Sequence, residues 1–110
     1  MDVKRYARIY RTLLEETKER LPKIRFVLCE PFVLPCGVVT PEWRGDVDKR
    51  REIVAELAKD FDATLVPYQQ LFDEAIKEAP AEHWAGDGVH PSPAGHHRMA
   101  KMWIDKVLAR

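Results

Sequence analysis

A chain of 110 residues with eighteen basic and eighteen acidic side chains has room for one modest core and no net charge to steer it onto nucleic acid. The two signs are mixed along the length, as in Arg5, Arg8, Glu15 and Glu16, which is the pattern of solvated helix faces. No apolar run approaches the roughly twenty residues of a membrane span, and Met1-Asp2-Val3-Lys4-Arg5 leads into no apolar targeting core, so the expectation is a cytoplasmic chain with no membrane or nucleic-acid partner.

In chain order, Val3, Tyr6, Tyr10, Leu13, Leu14, Thr17 and Leu21 recur at helical spacing and predict an amphipathic helix over 2–20, ending before Pro22. Ile24 to Cys29 is a short apolar, branched run that reads as a buried strand. Pro31, Pro35, Gly37 and Pro41 then break the chain into a long loop that carries Trp43 and Arg44. A second helix is predicted from about Asp46 to Phe61, and a second strand over Ala63–Pro67. Leu71, Phe72, Ala75 and Ile76 mark the inner face of a third helix, with Gln69 and Gln70 at its start facing solvent. The terminal helix follows Ser92, which suits its N-cap, with Pro93 in its first turn and Met99, Met102, Trp103 and Val107 as its stripe. Cys29 and Cys36 read as free thiols, the first a small hydrophobe in its apolar run, the second more exposed in its loop.

The rhythm of helix, strand, helix, strand, helix, helix is that of an open α/β sheet, with the two strands parallel and joined by a right-handed crossover. Two parallel strands do not bury both faces of a sheet. At least one edge wants a neighbour, and self-association as a homo-oligomer or edge-paired dimer is the expectation.

The chemistry concentrates in Asp87-Gly88-Val89-His90-Pro91. A carboxylate that accepts from one ring nitrogen of His90 fixes its tautomer and leaves the other nitrogen free to take a proton from a hydroxyl. Gly86 and Gly88 let the backbone fold so that the two side chains meet, and Pro91 holds His90 in extended backbone away from the next helix. Two loops qualify as sites on such a sheet, Glu30 to Arg44 and Glu82 to Pro91. In the first, Trp43 and Arg44 either shape an acyl or sugar pocket and meet an anionic group, or Trp43 simply closes the loop over the core. Trp84 is a third candidate for contact with substrate. The chain holds one serine, Ser92, and no asparagine. Ser92 lies two residues from His90 with Pro91 between, so the side chains diverge and Ser92 reads as a cap rather than a nucleophile. His83, His90, His96 and His97 invite a metal reading, but adjacent His96 and His97 diverge on a helix and lack the three- or four-residue spacing of a helical zinc face.

The block Asp87-Gly88-Val89-His90-Pro91-Ser92-Pro93-Ala94-Gly95-His96, preceded by Trp84 and followed by an apolar helix, resembles the last sequence block of the SGNH (GDSL-type) esterases and lipases. Glu30-Pro31-Phe32 is similar to a stretch that often follows the fourth strand in that family. The resemblance spans essentially the whole chain and corresponds to the C-terminal half of a family domain, so residues 1–110 are expected to form a single segment lacking the N-terminal strands. It implies a partial three-layer α/β/α sandwich around a flavodoxin-like parallel sheet, with two strands and about four helices here. It also implies ester or thioester hydrolysis (esterase, lipase or carbohydrate deacetylase) without metal or organic cofactor. By resemblance His90 is the general base that activates a serine and Asp87 orients it. The family's serine after the first strand, and its oxyanion glycine and asparagine, have no counterpart in this sequence. The chain is therefore expected to be inactive alone and to meet an ester substrate only when completed by an N-terminal half. The alternatives are a non-catalytic α/β module that self-associates through its open sheet edge and, last, a small metal-binding domain.

Overall fold

Asp2 opens the first helix by accepting the Arg5 N–H at 2.8 Å, and α1 runs Val3–Arg20, as the apolar spacing predicts. The structure, a computed structural model, describes residues 1–109. After Pro22 the chain turns, with Ile24 N donating to Leu21 O at 2.9 Å, so the apolar run begins in a turn and only Val27–Cys29 forms strand β1. Its partner β2 is Thr64–Val66, parallel, in the register Val27↔Thr64, Leu28↔Leu65 and Cys29↔Val66. Both strands are shorter than the sequence suggests, although Thr64 N to Phe26 O and Glu30 N to Val66 O, each 2.9 Å, carry the ladder one residue further at each end.

Helix α2 spans Pro41–Asp60 and starts five residues before the expected Asp46. Thr40 caps it, its hydroxyl accepting the Trp43 N–H at 3.1 Å, and Pro41 supplies a pre-set φ in the first turn. Trp43 and Arg44 therefore sit on a helix, not in a loop. The apolar spacing hid this start because α2 buries nothing before Val47. Then come α3 (Tyr68–Ala75), α4 (Ala81–Trp84) and α5 (Pro93–Leu108). The single turn α4 brings the helices among the described residues to five, one more than expected.

Successive strand residues face opposite sides of the sheet. Leu28 and Leu65 face α1 and α2, where Leu14, Val54, Leu57 and Ala58 close the main core and Phe26 meets Phe61 edge-on at 6.0 Å. Val66 points the other way and is fully buried, with α5 packed on β2. The result is a helix layer, a two-stranded parallel sheet and a second helix layer, the expected α/β/α arrangement. Coverage of the second face is uneven: Cys29, the neighbour of Val66 in register, is exposed. The expected order of the thiols is thereby reversed in exposure, since Cys36 is half-buried and Cys29, whose partner is Tyr68, is exposed. A smaller cluster of Leu34, Phe72, Ala75, Trp84 and Ala85 fills the space beneath the loops that carry the candidate site. No helix among the described residues is long and apolar enough to cross a membrane.

Candidate active site

Asp87 and His90 are brought together by one tight turn. The Oδ1 atom of Asp87 accepts two backbone N–H groups, from Val89 at 2.8 Å and His90 at 2.7 Å, while Oδ2 lies 2.6 Å from His90 Nδ1. Three donors converge on one carboxylate, led by the backbone N–H of His90, then its ring, then the N–H of Val89, and they hold Asp87 well below the usual carboxylate range. An ionised Asp87 makes Nδ1 the protonated nitrogen and leaves Nε2 a lone-pair acceptor. The imidazole is 85 % exposed, so that acceptor is open to an incoming group.

The turn needs Gly88, whose φ is +86°, and it is gripped from outside by the loop that follows β1. Leu34 N donates to Gly88 O at 2.9 Å, Val38 N donates to Asp87 O at 3.1 Å, and Cys36 Sγ donates to Ala85 O at 3.1 Å. Burial, followed by the nearby carboxylates of Glu82 and Asp87, pushes the Cys36 thiol up, which keeps it a donor at neutral pH. A Cβ on Gly88 would meet Cys36 O at 2.5 Å and Leu34 O at 2.9 Å, so only glycine admits this approach. On the other side Ser92 N donates to Trp84 O at 2.8 Å, and the Ser92 hydroxyl donates to His83 O at 2.7 Å while accepting Gly95 N–H at 3.2 Å. Ser92 is thus wholly engaged as cap and loop tie.

The remaining expected contacts divide. Trp84 is 4 % exposed, and its indole N–H is shared between Ala75 O at 3.1 Å and Ala79 O at 3.2 Å; the structure places it in the core and not on a substrate face. Arg44 is not a free cation. It forks onto Asp73 with two bonds of 2.9 Å and reaches Asp48 through Nε at 3.0 Å. Its side chain still forms part of the wall of an apolar pocket of about 330 Å³ with Leu34, Val39 and Thr40, beside the loop that grips Asp87. Trp43 stands 39 % exposed on the first turn of α2. Among the described residues no three His, Cys, Asp or Glu side chains gather as a metal site, and His83 packs edge-on to Trp84 at 4.6 Å.

Sequence reasoning missed the residues beneath the loop. Gln69, expected at the surface, is fully buried: its side chain accepts Val33 N–H at 2.8 Å and donates to Val33 O at 2.9 Å and Asp73 at 3.0 Å. Glu30, at the end of β1, caps α3 from outside by accepting Gln69 N–H at 2.8 Å. Its second oxygen lies 3.1 Å from Arg51 Nε, whose N–H is poorly aligned, so that contact is chiefly Coulombic. Arg51 reaches Asp48 at 2.8 Å. Glu30, Arg51, Asp48, Arg44, Asp73 and Gln69 thereby close a ring. Its sequence signal was helical spacing, Arg44-Asp48-Arg51 on α2 and Gln69-Asp73 on α3.

The sequence of residues 1–98 matches the family described as GDSL-like lipase/acylhydrolase. An acetylxylan esterase from Geobacillus stearothermophilus is 29 % identical over 102 residues, which are 93 % of this chain and 45 % of that protein. A crystal structure described as a GDSL-like lipase from Parabacteroides merdae superposes with a TM-score of 0.93 at 39 % identity, over 98 % of this chain and 50 % of that one. The crystal structure of the Geobacillus esterase superposes at 0.83 with 28 % identity, over 96 % of this chain and 47 % of that one. Further structures of that esterase are described as catalytic mutants in which a serine, an aspartate or a histidine is replaced by alanine, the aspartate and histidine three positions apart. The chain spans about half the length of these relatives. It belongs to the GDSL-like lipase/acylhydrolase family.

Proposed function

We propose that residues 1–110 are a single C-terminal segment of a serine ester hydrolase and supply the aspartate and histidine of its triad, with the serine and the oxyanion donors on a separate segment. The observation that carries this reading is the 2.6 Å contact between Asp87 Oδ2 and His90 Nδ1, which leaves Nε2 open. Its support from relatives is the aspartate and histidine of the Geobacillus esterase, three positions apart like Asp87 and His90, with a serine further upstream than this chain is long. In the proposed reaction Nε2 of His90 takes the serine proton as the hydroxyl oxygen adds to the ester carbonyl. The imidazolium then returns that proton to the departing alcohol, leaving an acyl-serine. Water repeats the cycle, its oxygen adding to the acyl carbon as Nε2 takes one of its protons, and the imidazolium returns that proton to the serine oxygen as the acid departs. Asp87 stays ionised throughout and stabilises the imidazolium. The acetylxylan esterase relative makes a carbohydrate acetyl ester the first substrate class to try.

A second reading is a non-catalytic module that pairs with copies of itself through the sheet edge. The exposed Cys29 on β1 and the exposed Ile104 and Leu108 on α5 favour it when no serine-bearing segment is present. The test mixes the purified chain with the serine-bearing portion of the Geobacillus esterase and follows hydrolysis of an aryl acetate. Neither part alone is expected to exceed background, and the mixture is expected to turn over and to lose that activity on His90→Ala. Turnover that survives His90→Ala overturns the catalytic reading.

A further inference from the structure

We propose that Gln69 is a positioning residue for Asp87 and His90, acting through the backbone of Val33 and Leu34. The inference rests on the esterase reading above and deepens it. His90 is 85 % exposed, so little packing fixes its ring. Its placement comes from the backbone of residues 87–90, which hangs on Leu34 N–H to Gly88 O and Val38 N–H to Asp87 O. These donors belong to a loop, and a loop is as accurate as whatever holds it.

Leu34 packs on Phe72 beneath the loop, and one side chain fixes the loop's start by directed hydrogen bonds. The Gln69 carboxamide meets both backbone groups of Val33 in a cyclic pair, the job a neighbouring strand would do, and Leu34 is the next residue. A buried backbone N–H and C=O need partners, and a primary amide supplies donor and acceptor in one plane. The amide is in turn fixed at its second N–H by Asp73, which Arg44 grips with both terminal guanidinium nitrogens, and at its own backbone by Glu30. Beside the packing of Leu34 on Phe72, a polar path leads from α3 to the catalytic turn through hydrogen bonds of defined direction and the chain itself. The path runs Asp73, Gln69, Val33, Leu34, Gly88, Asp87.

The experiment replaces Gln69 by methionine, close in volume and without the amide, and reads the two ring nitrogens of His90 by ¹⁵N NMR on the 110-residue chain at neutral pH. Wild type is expected to show the Nδ1–H tautomer, and Gln69→Met a mixture of tautomers in a chain whose circular dichroism is unchanged. A folded Gln69→Met chain with wild-type ring signals overturns the proposal. Should Gln69→Met fail to fold, Asp73→Ala and Asp73→Asn decide. The alanine variant is expected to mix the tautomers, and the asparagine variant, which keeps an acceptor for Gln69, to restore them; identical ring signals in the two overturn it. In the complemented enzyme Gln69→Met is expected to lower kcat about tenfold or more and to leave KM within about twofold. A purely structural role would lower yield and melting temperature without moving kcat per folded molecule. Hydrolysis that survives His90→Ala would sink the esterase reading, while the ring signals, which need no substrate, still decide on Gln69.

Discussion

Gly37 lies against the backbone of Asp87 so closely that a Cβ on Gly37 would sit 2.3 Å from the carbonyl carbon and oxygen of Asp87. Its φ is +59°, in the left-handed region, so glycine is needed there twice over. Gly37→Ala must both strain its own backbone and push Asp87 away from the N–H of Val38. The expected outcome is a loss of about 1–3 kcal/mol in urea unfolding, from the left-handed cost plus the displaced contact. His90 should lose its single tautomer at the same time. Gly45→Ala is the control: nothing lies within 4 Å of a Cβ there, and the site is helical. That variant is expected to gain roughly 0.5–1 kcal/mol.

Asp87 gives a prediction in pH. An aspartate in an unfolded chain titrates near ~3.9, and in the folded turn the donors from His90 and Val89 hold this carboxyl well lower. A depressed folded value means that the turn's contribution to stability is fully present above ~3.9 and is lost as pH falls through the folded value. A ¹³C titration of the Asp87 carboxyl should therefore show it still ionised at a pH where surface aspartates are half protonated. Titration at the ordinary position would mean that the turn is not formed in solution.

The ring beneath the loop predicts an ordering among variants. Glu30 is 8 % exposed and serves three partners, the N–H of Gln69, more distantly the N–H of Gln70 at 3.4 Å, and the guanidinium of Arg51. Glu30→Ala leaves a buried N–H without its acceptor and a half-buried Arg51 with Asp48 alone, for an expected loss of about 2–4 kcal/mol. Glu30→Gln keeps an acceptor for the N–H and gives up the charge, so its loss is smaller. Thermal or urea unfolding of the two variants checks the order. Equal losses would show that the cap on α3 contributes little beside the ion pair.

Part of this was legible in the sequence because it is written in local rules. Ser92 announced a helix start, the apolar spacing announced α1 and α5 as helices, although Leu13, Leu21 and Trp103 of those stripes are exposed, and the Asp87 to His96 block carried the family. What stayed hidden depends on residues far apart in the chain. Gln69 looked like a solvated helix start because nothing in its own window says that Val33, 36 residues away, lacks a strand partner. Arg44 looked like an anion-binding group because its partner Asp73 lies 29 positions on. Trp84 drew attention as a candidate contact, yet its N–H is spent on carbonyls of α3 and the turn after it. Burial of a polar side chain is a property of the assembled layers, and periodicity does not report it.

The open edge of β1 supplies the last prediction. Phe26 and Glu30 direct their ladder bonds to β2, so by the alternation of a parallel strand Leu28 does likewise, and the N–H and C=O groups of Val27 and Cys29 point to the other side. No further strand pairs there among the described residues. Beside this edge Cys29 is exposed, and the neighbouring layers carry exposed Ile9, Leu13, Ile104 and Leu108. An uncovered edge flanked by apolar side chains pairs with whatever strand is offered. In the isolated chain that is a second copy, and light scattering at high concentration is expected to report a dimer or larger. Cys29→Pro removes an outward N–H without touching the ladder to β2, so it should shift the population to monomer while preserving the circular dichroism. Adding a serine-bearing segment should do the same by occupying the edge. A wild-type chain that stays monomeric at every concentration would show that neither the edge nor its flanking helices drive association.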